Sequence, residues 1–195
     1  MQENLEATLS KTDQFFKENA KTIWGCVIAA VVVAAAVICY VNFIYQPKCQ
    51  EAMGQMYPAE INFQNQQYEL ALNGDGNVLG FAQVIDEYGS KAGQSAYLYA
   101  GICELQLGEY EQAVSYLKKY NGKDPILAGR AQACMGDAYV ALEDYASAVK
   151  CFEKAAAVNG DNVLAATYCV KAGLAYEAMG KKAEALKSYK AVKDN

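Results

Sequence analysis

An uncharged apolar segment, residues 23–45, constrains the fold of this chain more than any other feature. It reads IWGCVIAAVVVAAAVICYVNFIY and contains neither a charged residue nor a proline. As an α-helix these 23 residues would span about 34 Å, enough to cross the roughly 30 Å hydrocarbon core of a bilayer. Because a helix satisfies its own backbone polar groups in lipid, the sequence predicts one transmembrane helix.

Lysines near the ends of this segment predict its orientation. Lys11, Lys17 and Lys21 lie on the N-terminal side, whereas only Lys48 lies close on the other side. Positive charge is retained in the cytoplasm, so residues 1–22 are predicted to be cytoplasmic and the rest of the chain extracytoplasmic. In a bacterium this would be a single-pass inner-membrane protein with a periplasmic domain.

The segment is interpreted as an uncleaved anchor. A cleaved signal peptide is the alternative, but the apolar run is longer than the usual 7–15 residues and no small-x-small cleavage site follows it. Residues 1–22 are predicted to form a short amphipathic helix. Trp24 at one end and Tyr40 at the other are typical of the membrane interface. Small residues along the span would permit close contact with a partner helix: Gly25, Ala29, Ala30 and Ala34.

Composition excludes several classes of function. The formal net charge is −5, which disfavours nucleic-acid binding. The chain contains no histidine, so it lacks every Ser-His and Cys-His nucleophile arrangement. Its acidic residues are scattered rather than paired, and no glycine-rich phosphate loop is present. We therefore predict a protein that is not an enzyme and binds no cofactor.

The cysteines do not form a disulfide framework in the sequence. There are seven, widely spaced and without a CxxC pair, so they are interpreted as small apolar residues of packed helices. A bridge between Cys134 and Cys151 is the alternative if the domain is extracytoplasmic.

Residues 46–91 precede the clearest pattern in the chain. Pro58 predicts a break between a linker helix over 46–58 and a second helix reaching Leu72. The turn NGDGN (73–77) resembles the start of a calcium-binding EF-hand loop, but Val78 stands where that loop needs glycine. No metal site is predicted there.

Three later segments, 94–125, 129–160 and 166–195, repeat one pattern. Each has a glycine in its first half, then a turn, a small residue and a large apolar residue. The glycines are Gly101, Gly136 and Gly173, the small residues Ala113, Ala148 and Ala185, and the large residues Leu117, Phe152 and Tyr189. Equivalent turns are 35 and 37 residues apart, which is typical of a helical repeat array.

This pattern resembles the tetratricopeptide repeat, a pair of antiparallel helices of about 34 residues. The resemblance implies an all-α fold, with one transmembrane helix followed by an α-solenoid of helix hairpins. The repeat domain is assigned to 59–195, with 59–91 as a degenerate first unit. Gln132 and Cys169 depart from the family, which usually has a bulky apolar residue at that position.

The first helices of such units line a concave surface that binds peptides or partner helices. The alternative is that solvent, a C-terminal helix or a second copy of the chain covers this concave surface. The chaperone-type carboxylate clamp of lysines and asparagines is absent at these positions. By register the candidate groove residues are Leu98, Ile102, Leu105, Arg130, Ala133, Asp137, Val140, Val170, Leu174 and Glu177.

The last 15 residues carry five lysines against two acidic residues. They are interpreted as a soluble cap that complements the dipole of the final helix, and a docking patch for an acidic partner is the alternative.

A cytoplasmic N-terminus, one span and a periplasmic repeat domain together resemble the YfgM-like proteins of bacterial envelopes. That resemblance implies protein partners, namely translocon subunits or a membrane-anchored periplasmic chaperone, and a role in Sec-dependent export or periplasmic folding. A structural adaptor in another secretion or cell-wall assembly complex is the alternative, and inverted topology is a second one.

Overall fold

The computed structural model describes residues 16, 18–159 and 163–194. The chain divides into two units, Met1–Pro47 and Lys48–Asn195. Every regular element formed by the described residues is helical, so the predicted all-α class is confirmed. Most of the amphipathic helix predicted for residues 1–22 lies outside the described residues.

The first unit contains an apolar helix, α1 (Ala20–Tyr40), followed by a π-helical turn, Val41–Tyr45. No residue of either element is buried. The Asn42 side-chain amide donates a hydrogen bond to the Ile38 carbonyl at 3.0 Å. It competes there with the backbone N–H groups, which favours the i→i+5 backbone hydrogen bonds of the π-helical turn. Within the described part of the chain, this is the one helix long and apolar enough to cross a membrane.

Helix α2 (Gln46–Gln64) runs through Pro58, so the predicted break at that proline is wrong. A proline inside a helix costs about 3 kcal/mol because it removes a hydrogen bond and crowds the preceding turn. Burial on both sides offsets this cost, since Met56 and Ala59 belong to the same core. The helix ends instead just before Gln66, which adopts a positive φ of 61°.

Two short helices follow, α3 (Tyr68–Asn73) and α4 (Phe81–Tyr88). In the turn between them, one carboxylate oxygen of Asp75 accepts hydrogen bonds from the backbone N–H groups of Asn77 and Val78, at 2.9 and 3.0 Å. These bonds lower the pKa of Asp75. The carboxylate therefore caps the turn internally.

The core shared by α2, α3, α4 and the following helix is centred on three aromatic rings, called the aromatic core below. Phe81 is fully buried and stacks on Tyr99, with centroids 5.3 Å apart. Phe63 meets Phe81 edge-on at 6.3 Å. Small residues around the rings let the helices approach one another, and those fully buried include Ala52, Ala59, Ala71, Ala96 and Ala100.

A 3₁₀ turn, Gly89–Ala92, leads into three stacked helix pairs. Each of their helices packs on the next one along the chain, which is the arrangement of a helical solenoid. The pairs are α5 (Gly93–Leu107) with α6 (Tyr110–Lys119), α7 (Pro125–Ala141) with α8 (Tyr145–Asn159), and α9 (Val163–Ala178) with α10 (Lys182–Asp194).

The predicted glycines and large apolar residues meet in all three pairs. A Cβ atom on Gly136 would lie closer than 3.0 Å to the ring of Phe152. Gly101 faces Leu117 and Gly173 faces Tyr189 in the same way. In each pair, therefore, only a glycine leaves room for the large side chain of the second helix, which explains why the two residue types recur together.

The three turns between paired helices also share one geometry. One residue within two positions of the end of the first helix has a positive φ: 87° at Gly108, 60° at Glu143 and 73° at Gly180. The next N–H bonds the carbonyl five residues back, as from Asp144 to Tyr139 at 2.9 Å. This is the Schellman ending of a helix, which glycine adopts without strain and glutamate does not.

Candidate protein-binding surfaces

Three of the ten predicted groove residues are core residues. Leu98, Ile102 and Ala133 are 2%, 5% and 5% exposed, respectively. Leu98 and Ile102 pack with α6 and α7, and Ala133 packs against Tyr168 of α9. Their side chains are unavailable to a partner while the helices remain packed.

Three other predicted residues line one cavity. Asp137 and Val140 of α7 and Leu174 of α9 border a volume of about 320 Å³, which we call the α7–α9 groove. More than half of the Leu174 surface is exposed. The sequence did not identify the remaining lining residues, which are Tyr145, Phe152, Lys171, Ala175 and Ala178.

An ion pair joins the two sides of the α7–α9 groove. The Lys171 ammonium donates hydrogen bonds to both carboxylate oxygens of Asp137, at 2.7 and 2.6 Å. It also lies 5.7 Å from the centroid of the Phe152 ring. Both charged side chains are more than a third exposed, so the pair contributes only about 0–1 kcal/mol to stability.

Sequence reasoning missed Lys171 although a signal for it was present. Lys171 lies three residues before Leu174, and residues with that spacing share a helix face. A lysine on the face assigned to the groove, one repeat after Asp137, is the pattern expected for an ion pair between successive units. The separation in sequence is 34 residues.

The other predicted groove residues do not line this cavity. Leu105 is half-buried beside the α6 core. Arg130 and Val170 are exposed, and Glu177 borders a separate depression of about 370 Å³ with Leu186 of α10. The ten residues therefore do not form one continuous floor.

A larger cavity, of about 640 Å³, lies between α6, α7 and α8. We call it the α6–α8 pocket. Its lining includes three lysines, Lys118, Lys150 and Lys154, and no acidic residue. The Lys118 ammonium lies 5.7 Å from the centroid of the Tyr139 ring, a distance that allows a cation–π contact. Sequence reasoning did not identify this cavity, because its lysines come from two different repeat units.

All seven cysteines are free thiols, so the alternative of a Cys134–Cys151 bridge is wrong. Burial raises the pKa of Cys103 to about 12 and also raises the pKa of Cys134 and Cys151. Thiols with raised pKa values are protonated at neutral pH and react poorly as nucleophiles. These three cysteines of the helix pairs therefore pack as small apolar residues, as predicted.

None of the small residues of the apolar helix is buried. Gly25, Ala29, Ala30 and Ala34 are all exposed, and a Cβ on Gly25 would meet no protein atom within 4 Å. They are open to a partner helix or to lipid.

Sequence comparison identifies the family of the helix pairs. Residues 95–125 and residues 135–195 each match the tetratricopeptide repeat family. The first match coincides with the predicted unit 94–125, and the second overlaps both later units. The chain therefore contains tetratricopeptide repeats, as predicted, and such repeats are typically non-catalytic. No curated protein matches the chain.

Proposed function

We propose, on the premise that this is a tetratricopeptide repeat protein with one long apolar helix, that it is a membrane-anchored, non-enzymatic scaffold. Its repeats would bind protein partners outside the cytoplasm. Its role would be to assist Sec-dependent export or folding in the bacterial periplasm. The partners would be translocon subunits or a membrane-anchored chaperone.

The exposure of α1 supports the membrane anchor. A helix that is apolar on every side is stable when it is buried in protein or in lipid. No residue of α1 is buried within the chain, and 21 residues are enough for a span of about 30 Å. Trp24, which is largely exposed, and Tyr40 lie near its ends, where aromatic side chains favour the membrane interface.

The α7–α9 groove is the observation that carries the proposal of partner binding. It places two exposed apolar side chains, Val140 and Leu174, beside the ion pair of Lys171 and Asp137. An amphipathic helix with apolar residues one turn apart fits such a surface. A partner charge can exchange with the ion pair at small cost, because a half-exposed pair contributes only about 0–1 kcal/mol.

The role in export rests on the resemblance of the whole layout to the YfgM-like proteins. That layout consists of a long apolar N-terminal helix, a lysine bias that predicts an extracytoplasmic location for the repeats, and a repeat domain in which the sequence predicts no catalytic arrangement. The small residues of α1 add a second surface, since Gly25 and Ala29 would let a translocon helix approach closely.

Crosslinking in cells, followed by affinity purification in mild detergent and mass spectrometry, tests the role. The full chain is expected to recover translocon subunits or a membrane-anchored chaperone. Leu174→Glu is expected to reduce that recovery about tenfold, because it puts a charge in the apolar part of the groove. Leu186→Glu is the matched control, since Leu186 is 53% exposed against 56% for Leu174 and lies outside the groove.

Two outcomes would contradict this role. Recovery of a stoichiometric set of subunits from another envelope complex would show that the protein is a structural adaptor of that complex rather than a factor in export or folding. Equal recovery by both leucine variants would remove the groove from partner binding. Topology is tested separately, by a reporter fused after residue 195. Activity only of a reporter that requires the cytoplasm would reverse the orientation.

A further inference from the structure

The α6–α8 pocket has an apolar floor and a polar, basic rim. Leu117 and Met135 are buried at its base. Tyr120 and Tyr139 supply aromatic surface and hydroxyl groups, and Asn121 and Gln132 supply amides. Three lysine ammonium groups, from α6 and α8, complete the lining.

The charge of this pocket opposes that of the protein. The chain carries a net charge of −5, yet the pocket lining carries three positive charges and no negative one. Among the described residues, the one ion pair joins Lys171 to Asp137, so no carboxylate pairs with these lysines. The carboxylate of Asp144 accepts a hydrogen bond from the Ser147 N–H at 3.1 Å, and this bonding to Ser147, more than the charge of Lys150, lowers its pKa.

This arrangement costs stability in the free protein. Lys150 and Lys154 are four residues apart on α8 and therefore neighbours on one helix face. Like charges at that spacing destabilise a helix. An anion in the pocket would remove this repulsion and pair with all three ammonium groups.

We propose that the α6–α8 pocket binds an acidic segment of a partner polypeptide. Carboxylates of the segment would pair with Lys118, Lys150 and Lys154, while the amides of Asn121 and Gln132 would bond its backbone. This surface is distinct from the α7–α9 groove, with which it shares no lining residue. The proposal therefore stands or falls independently of the proposed role in export.

The observations favour a polypeptide over the two other common polyanions. An anionic membrane is flat and pairs best with lysines on a protruding surface, whereas these lysines surround a cavity. Nucleic acid binds through many phosphate contacts along an extended basic surface, whereas this pocket offers three lysines in one place. A polypeptide also fits the mixed lining, since amide and hydroxyl groups can bond its backbone.

The test measures binding of a fluorescent peptide of alternating glutamate and glycine to the full chain in nanodiscs of neutral phosphatidylcholine. The double variant Lys150→Gln/Lys154→Gln is expected to weaken binding about tenfold, and added salt is expected to weaken binding to the unaltered chain. The same peptide with glutamine in place of glutamate is expected not to bind. Lys118 is left intact because it contacts Tyr139.

The matched control is Lys187→Gln/Lys190→Gln on α10. It removes the same charge from another exposed helix face, and it lies in the lysine-rich tail that the sequence identified as an alternative patch for acidic partners. It is expected to change the affinity by less than about twofold. Equal losses in both double variants, or a loss only in the control, would overturn the proposal.

Anionic vesicles of phosphatidylglycerol and a single-stranded oligonucleotide are measured beside the peptide. If either binds in a manner that depends on Lys150 and Lys154 while the peptide does not, the pocket belongs to that ligand and the proposal is wrong. The same holds if the full chain self-associates through these lysines and the peptide fails to compete.

Discussion

The helix pairs and the region before them are packed in different ways. In the pairs α5–α6, α7–α8 and α9–α10, a glycine faces a large side chain of the partner helix. Helices α2–α4 instead pack around one cluster of aromatic rings, which Tyr99 of α5 completes. The first kind of packing is local and periodic, whereas the second depends on contacts that occur once. The two regions should therefore respond differently to substitution.

The largest expected effect is that of Phe81→Ala in the aromatic core. Removing a fully buried ring that contacts Phe63 and Tyr99 should lower the free energy of unfolding by about 3–5 kcal/mol. Hydrogen exchange followed by mass spectrometry should show protection lost over residues 46–92 and retained over 129–159, because solenoid repeats contact only their neighbours. Uniform loss of protection would show that the two regions unfold as one.

The next effect concerns the glycine contacts of the helix pairs. Gly136→Ala places a methyl group against the ring of Phe152 and should cost about 1–3 kcal/mol in urea unfolding. Adding Phe152→Leu should make the double variant more stable than the sum of the single changes predicts. Gly54→Ala is the control, since a Cβ there meets nothing within 4 Å and should stabilise α2 by about 0.5–1 kcal/mol.

A smaller effect is expected at the turns between paired helices. Gly108→Ala should cost about 1 kcal/mol, because alanine is strained at a φ of 87°. Glu143→Gly should do the opposite and stabilise by about 0.5 kcal/mol, since relief of the left-handed strain exceeds the added entropy of the unfolded chain. Thermal unfolding measured for both variants would decide this, and a loss of stability in Glu143→Gly would contradict the strain argument.

The smallest effect concerns Glu104, a buried carboxyl of α5 beside both regions. Burial, together with the charges of Glu109 and Glu69, raises its pKa above the ordinary 4.5. The folded state then keeps a proton that the unfolded state has lost, so stability decreases as the pH rises from 4.5 through the raised value. Glu104→Gln should remove this decrease and be more stable at neutral pH. If the unaltered chain and the Glu104→Gln variant show parallel curves of stability against pH, the raised pKa of Glu104 does not affect stability and the prediction is wrong.

The repeated part of the fold could be predicted because its glycines and large apolar residues recur at a regular spacing in the sequence. Gly136 and Phe152 recur as equivalent residues in the neighbouring units, so periodicity alone identifies the pairs. The helix through Pro58 could not be predicted in this way. Its continuity depends on the burial of Met56 and Ala59 among helices distant in sequence, which overrides the local preference of proline.

The groove was only partly predictable for a related reason. α5 is buried on most of its circumference, so its apolar pattern does not distinguish a groove residue from a core residue. Leu98 and Ile102 were assigned to the surface on that pattern and are core residues. Charged residues are a better guide to the surface: Asp137 lines the α7–α9 groove, and its partner Lys171 was within reach of the argument that placed Asp137 in the predicted groove.

The position of Trp24 gives the protein a useful optical property. It is the single tryptophan of the chain and lies on α1, whereas most of the 15 tyrosines lie in the second unit. Tryptophan emission therefore reports on the surroundings of α1 alone, and a blue shift on addition of vesicles would measure its insertion. Tyrosine absorbance reports mainly on the helix pairs. Insertion of the apolar helix and unfolding of the repeats can thus be followed in one cuvette without attached dyes.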